Sequence, residues 1–184
     1  MANIQEVPKK EQLRIVVILC CSFARNLAYY RAWWGEDHGH FLFLTHPHKN
    51  FWVAVNNNFL DVCVLDWCKL FADKRAKHGW REIVTDVQKF EAGLLHHLNL
   101  DAAAFENEIK AMRSYRDKFV AHQDLEYTAI LPTLDVAKKA VWFYHAHIVN
   151  QEAQPGDLFG LPLDIERGYD DEVQGARAVY RGIR

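Results

Sequence analysis

The residues best suited to chemistry lie in one short stretch, Lys110 to Gln123. At about 100° per residue, Phe105, Ile109, Met112 and Phe119 fall within about 40° of one line on a helix, and Arg116 falls on the same line. A guanidinium in an apolar stripe is desolvated, and a buried charge is unfavourable by several kcal/mol unless it is paired and hydrogen-bonded. Asp117 is next in sequence but about 100° round the helix. Two compensators therefore stand open: a carboxylate from another helix such as Asp66, or a polar cleft that holds phosphate. His122 follows six residues after Arg116, about 120° away on an unbroken helix and beside Tyr115. Arg116 and His122 then meet only through the reach of the long Arg side chain, where the helix frays near Ala121, or through two copies of the helix facing each other in a dimer. Lys110, Arg113, Arg116 and Lys118 stand against Asp117 alone, a basic patch on a chain of formal charge −2. A phosphate belongs there.

The elements that position this stretch are read as helices. Proline occurs only at 8, 47, 132, 155 and 162, which leaves His48 to Leu131 free of the residue that most reliably interrupts a helix. Alternating runs between Asn-Gly or Asp-Gly turns are missing, so the usual hairpin evidence is absent. The pattern predicts an all-α, up-and-down bundle of four to five helices over residues 1–154, with a turn-rich C-terminal extension over 155–184. The first helix is expected from about Lys10 to Trp34 and central, because it is apolar nearly all round at its start. The second is expected over Phe51 to Asp73, with Asp66 interrupting its apolar row, and the third over Arg81 to Leu98, closed by the turn-prone Leu98-Asn99-Leu100. Asp101 reads as the N-cap of a fourth helix through about Val120, with Glu106 and Glu108 early and Arg116 and Lys118 late, as the helix dipole favours. Thr133 or Asp135 opens a fifth through Ile148, and a last short helix is expected from Asp171 to Arg181. No internal repeat is visible.

The segment Arg116-Asp117-Lys118-Phe119-Val120-Ala121-His122 resembles the Arg, four to six residues, His signature of the HEPN superfamily, and its Arg-Asp-Lys-x-x-Ala-His form is similar to the abortive-infection branch. The order of helices from about residue 10 to 150 resembles the family pattern as well, while the tail after Pro155 is not covered by it. The resemblance implies a dimeric helical bundle whose motif helices form one cleft and, in active members, a metal-independent endoribonuclease without cofactor. On that implication His122 is the acid or base acting at a ribose 2'-hydroxyl or the 5'-oxygen leaving group. Arg116 stabilises the pentacoordinate transition state, and Lys110, Arg113 and Lys118 contact RNA. Asp117 stands where many family members have Asn; it orients His122 or Arg116, or merely adds a repulsive charge near phosphate. The implied partners are RNA, a second copy of the chain and a cognate antitoxin. The alternative is a non-catalytic dimeric helical module that binds RNA, nucleotide or a protein through the same cleft.

Other signals are weaker. Among the ten histidines, His38, His40, His46, His48, His145 and His147 invite a metal reading. His-x-His, however, places two rings about 200° apart on a helix, and no Cys-x-x-Cys or His-Glu-x-x-His accompanies them, so no metal is expected. Trp67, Phe71, Trp142 and Phe143 sit at helical spacing and read as packing rather than as stacking platforms. Lys74 to Arg81, with four Lys or Arg residues and Trp80, joins two helices and is a second candidate RNA surface. Gly-rich phosphate loops, nucleophile elbows and paired-carboxylate patterns are missing. With 22 basic and 24 acidic residues the chain has no global field for a polyanion, which excludes histone-like binding. Cys20, Cys21, Cys63 and Cys68 lie in apolar segments and read as reduced, buried hydrophobes. Lys9, Lys10 and Arg14 before Ile15 to Cys21 imitate a secretory signal, but the helical pattern continues past Arg25 and the apolar run is too short to span a bilayer. The expectation is a cytoplasmic protein off the membrane.

Overall fold

A computed structural model describes residues 8–34, 46–73, 76–121 and 134–183, excluding the side chains of Phe119 and Ala121. Those residues are helical or irregular, with no strand among them. Helix α1, Lys9–Trp34, runs as one piece. Its buried positions Leu13, Val16, Val17, Cys20, Phe23, Ala24 and Leu27 recur at helical spacing, and it packs against three of the helices that follow, which makes it central as expected. By length and composition α1 could cross a membrane, which corrects the expectation that it is too short. The run Ile15 to Cys21 is short by itself, but the apolar pattern of α1 continues to Trp34. Much of that apolar surface is used inside the chain.

Helix α2 is Lys49–Trp67 and continues without a break into a π-helical turn, Cys68–Ala72. The expected third helix is two elements, a single turn α3 over Trp80–Ile83 and α4 over Val87–Leu98. The break has a local cause: the Asp86 carboxylate accepts the Lys89 N–H at 3.0 Å and caps a new helix. At the far end Asn99 adopts the left-handed conformation at φ 53°. There the Leu100 N–H reaches the Leu95 carbonyl at 3.1 Å and the Asn99 N–H reaches His96 at 3.1 Å, which closes α4 as a Schellman turn.

Helix α5, Ala102–Tyr115, starts as expected, with the Asp101 carboxylate accepting the Ala104 N–H at 2.7 Å, and then widens into a second π-helical turn, Arg116–Ala121. Helix α6, Leu134–His147, ends in a third such turn, Ile148–Glu152. The expected short C-terminal helix is longer: α7 spans Ile165–Gly182 and begins where the Asp164 carboxylate accepts the Arg167 N–H at 2.9 Å. Its buried residues Ile165, Tyr169, Ala176 and Tyr180 share one face, which lies along α1. Arg14 of α1 donates to the carbonyls of Asp157 and Phe159, both at 3.0 Å, so the turn before α7 is fastened to the same helix.

The main core gathers Phe23 of α1, Trp67 and Phe71 of α2 and its π-turn, Phe90 of α4, Phe105 of α5 and Tyr144 of α6. The Trp67 and Phe71 rings stack at 5.1 Å, and Phe71 meets Tyr144 edge-on at 5.7 Å. A smaller cluster of Ala32, Trp33, Ala176 and Tyr180 joins the end of α1 to α7. Burial of these rings is what fixes the angle between the second and fifth helices, and so the ends from which the candidate site is built.

Candidate functional site

The stripe on α5 is as the wheel predicts. Phe105, Ile109 and Met112 are buried, and Arg116 comes one turn further on, where α5 gives way to its π-turn. Its side chain is 19% exposed, so the guanidinium is largely desolvated but still reaches water. Compensation comes from two carboxylates. Arg116 Nη1 donates to Asp73 Oδ1, at the end of the π-turn that closes α2, and Arg116 Nε donates to Asp117 Oδ1 at 2.8 Å. Burial acts to lower the Arg116 pKa, but the bonds to Asp117 and Asp73 outweigh it and hold the group charged.

Asp66 is not the partner of Arg116. It is 4% exposed, two helical turns before Asp73, where its Oδ1 accepts from Lys69 at 3.0 Å. The acid that reaches Arg116 instead projects from the end of the helix. Asp117 does what angle alone argued against, since neighbouring side chains need only lean toward each other for the short carboxylate to meet Nε. Of its three expected roles, orienting Arg116 has a hydrogen bond among the described residues.

Arg113 joins the same place from the preceding turn of α5 by donating through Nη2 to the Ala72 carbonyl. Arg113 of α5 and Arg116 of the π-turn that follows it thus grip two consecutive residues at the C-terminal end of α2 and its π-turn, Ala72 by its carbonyl and Asp73 by its carboxylate. That end carries unsatisfied carbonyls and the negative pole of the helix, where cations are favourable. Lys110 is exposed and Lys118 half-buried. The basic patch is therefore divided: Arg113 and Arg116 face α2, and Lys110 faces water.

A cavity of about 490 Å³ opens beside this clamp, lined among others by Phe71, Asp73, Trp80, Arg81, Glu106 and Arg113. The Cys68 thiol lies near Arg116; burial pushes it up to about 12, with Arg116 pulling the other way. One residue before Arg116, at the end of α5, the Tyr115 hydroxyl donates to Asp61 Oδ1 at 3.2 Å, and burial raises both groups above their ordinary values.

His122 lies outside the described residues, as do His38 and His40.

The remaining candidates go elsewhere. Among the described residues no group of three or more His, Cys, Asp or Glu is placed to hold a metal. His46 Nδ1 accepts the His48 N–H at 3.0 Å, a local turn. His145 is buried with Nε2 3.2 Å from the Pro162 carbonyl, and His147 packs on Phe90 and bonds Glu152 at 3.2 Å. In the joining segment, Trp80 is buried and stacked on Phe90, so it is core rather than a platform for a base, and Arg81 lies over its ring.

Comparison with models of known protein families, with curated proteins and with solved structures finds no match to this chain. The site must be read from its own residues.

Sequence reasoning missed Asp73. Its signal was faint: an acid seven residues beyond Asp66, on nearly the same face of an α-helix and directly before the basic Lys74-Arg75 pair.

Proposed function

We propose that the chain is a metal-independent endoribonuclease of the HEPN kind, an effector of phage defence or of a toxin–antitoxin pair, acting in the cytoplasm as a dimeric up-and-down bundle. The observation that carries this reading is the setting of Arg116, a desolvated and permanently charged guanidinium that keeps access to water and whose partner Asp73 lines a cavity, six residues before His122. In the reaction, the imidazole of His122 takes the proton from a ribose 2'-hydroxyl, the freed oxygen attacks the adjacent phosphorus, and the 5'-oxygen leaves and takes up a proton. Arg116 stabilises the extra negative charge on the pentacoordinate phosphorus, a role that suits a planar donor fixed before the reaction. The product is a 2',3'-cyclic phosphate. Asp117 orients Arg116, and Arg113, Lys118 and Lys110 meet flanking phosphates.

One observation favours a second reading. Arg116 and Arg113 already have partners at the end of α2, and a helix clamp needs no substrate. On that reading the chain is a non-catalytic helical module that binds RNA, nucleotide or a protein. Expression separates the two. The nuclease arrests growth, and both Arg116→Ala and His122→Ala abolish the arrest; equal tolerance of wild type and both variants supports the module.

A further inference from the structure

The carboxylate on Arg116 Nη1 is supplied by the chain itself, and that has a consequence for any phosphate seat at this residue. A guanidinium binds a carboxylate and a phosphate oxygen through the same N–H edges. With Asp73 and Asp117 both on Arg116, the formal charge of the trio is −1, so the guanidinium is already compensated and its N–H edges are occupied before any anion arrives. The two acids are not equivalent. Asp117 holds Nε from the neighbouring position on the same helix, so it moves with Arg116. Asp73 comes from another element and holds Nη1 across the gap between α2 and α5.

We propose that Asp73 is an internal occupant of an anion seat at Arg116, and that binding of a phosphodiester exchanges the Asp73 carboxylate for a phosphate oxygen while Asp117 stays on Nε. This rests on the reading of Arg116 as a phosphate-binding group of a ribonuclease. The exchange needs only a side-chain rotation. The Asp73 backbone is pinned on both sides, its N–H on the Cys68 carbonyl at 2.9 Å and its own carbonyl on the Ala76 N–H at 3.0 Å, whereas its side chain is 36% exposed. Asp73 also lines the 490 Å³ cavity, whose wall carries Arg81 and Arg113 together with Glu82 and Glu106, so a carboxylate leaving Arg116 turns into open space that holds cations as well as acids. The free protein is thereby held in a low-affinity state, and a ligand must bring enough further contacts to displace the acid. A long RNA with several phosphates does so more readily than a lone anion.

The test uses the full chain and inorganic phosphate at constant ionic strength, with the unfolding midpoint followed as phosphate is raised. In Asp73→Asn the half-maximal phosphate concentration falls by about tenfold or more relative to wild type, equivalent to about 1.4 kcal/mol, and in Asp73→Asn/Arg116→Gln the phosphate-specific response disappears. Asp73→Ser repeats the measurement should the amide variant fold poorly. A response of Asp73→Asn equal to that of wild type overturns the proposal, as does a gain that survives loss of Arg116. RNA cleavage is scored separately: cleavage by wild type without a phosphate gain in Asp73→Asn removes the occupant and keeps the nuclease. A gain without any cleavage keeps the occupied seat and removes the nuclease.

Discussion

Replacing Glu152 by Gln tests how the end of α6 is held. The Glu152 side chain is 5% exposed and accepts from the Thr85 N–H at 2.8 Å, from the Thr85 hydroxyl at 2.7 Å and from His147 Nε2 at 3.2 Å, with Lys9 Nζ at 3.7 Å. It ties the start of α1 and the break before α4 to the π-turn that ends α6. Gln keeps the shape but replaces one accepting oxygen with a donor and removes the charge. A hydrogen bond to a charged group contributes about 1.5–3 kcal/mol. Thr85 is itself exposed, so the loss belongs near the lower end, at about 2 kcal/mol. For a domain of this size that corresponds to a fall of roughly 4–8 °C in Tm. Burial acts to raise the Glu152 pKa, but the Thr85 bonds, His147 and Lys9 outweigh it and set the carboxyl below its ordinary value. A depressed carboxyl pKa stabilises in full above the unfolded value of about 4.3, and the effect is lost as pH falls through the folded value. Thermal unfolding of wild type and Glu152→Gln between pH 7 and pH 3 should therefore show a gap that is constant near neutrality and closes in acid. A gap below about 1 °C at pH 7, or one that persists unchanged at pH 3, refutes the reasoning.

Three further outcomes follow from the packing of the core. Burial lowers the pKa of His145, so its neutral form stabilises fully above about pH 6.5 and that stability is lost as pH falls toward the folded value; the Tm of His145→Phe should vary less between pH 7 and pH 5 than that of wild type. Trp67→Ala empties a site packed on Phe71 and Phe105 and should cost about 3–5 kcal/mol in denaturant unfolding, whereas replacement of the exposed Phe159 should leave the midpoint within about 0.5 kcal/mol. Cys63 and Cys68 are buried thiols with raised pKa values, so iodoacetamide at neutral pH should modify them only at the rate at which the chain opens. Rapid labelling of native protein contradicts their placement.

The helical character and the central first helix were legible because apolar residues repeat at helical spacing over long, proline-free stretches. The caps were legible where they stand at the edge of a pattern, as Asp101 does. Asp86 and Asp164 cap helices too, but Asp86 lies inside a stretch that continues helically on both sides and Asp164 stands before a polar, charged helix, so each start was passed over. The demand for a counter-charge at Arg116 was readable from the stripe, since desolvation is set by the neighbours on the same face. The identity of the counter-charge was not. Asp73 is 43 residues away in sequence, and its approach depends on the angle at which α2 and α5 pack and on the π-turns at both ends, none of which a helical wheel contains.

The central claim is tested most directly by the termini of cleaved RNA. Wild-type protein incubated with RNA and a chelator should release fragments ending in 2',3'-cyclic phosphate, and Arg116→Ala and His122→Ala, each shown to be folded, should release none. Intact RNA with wild-type protein, or cleavage undiminished in both variants, contradicts the account.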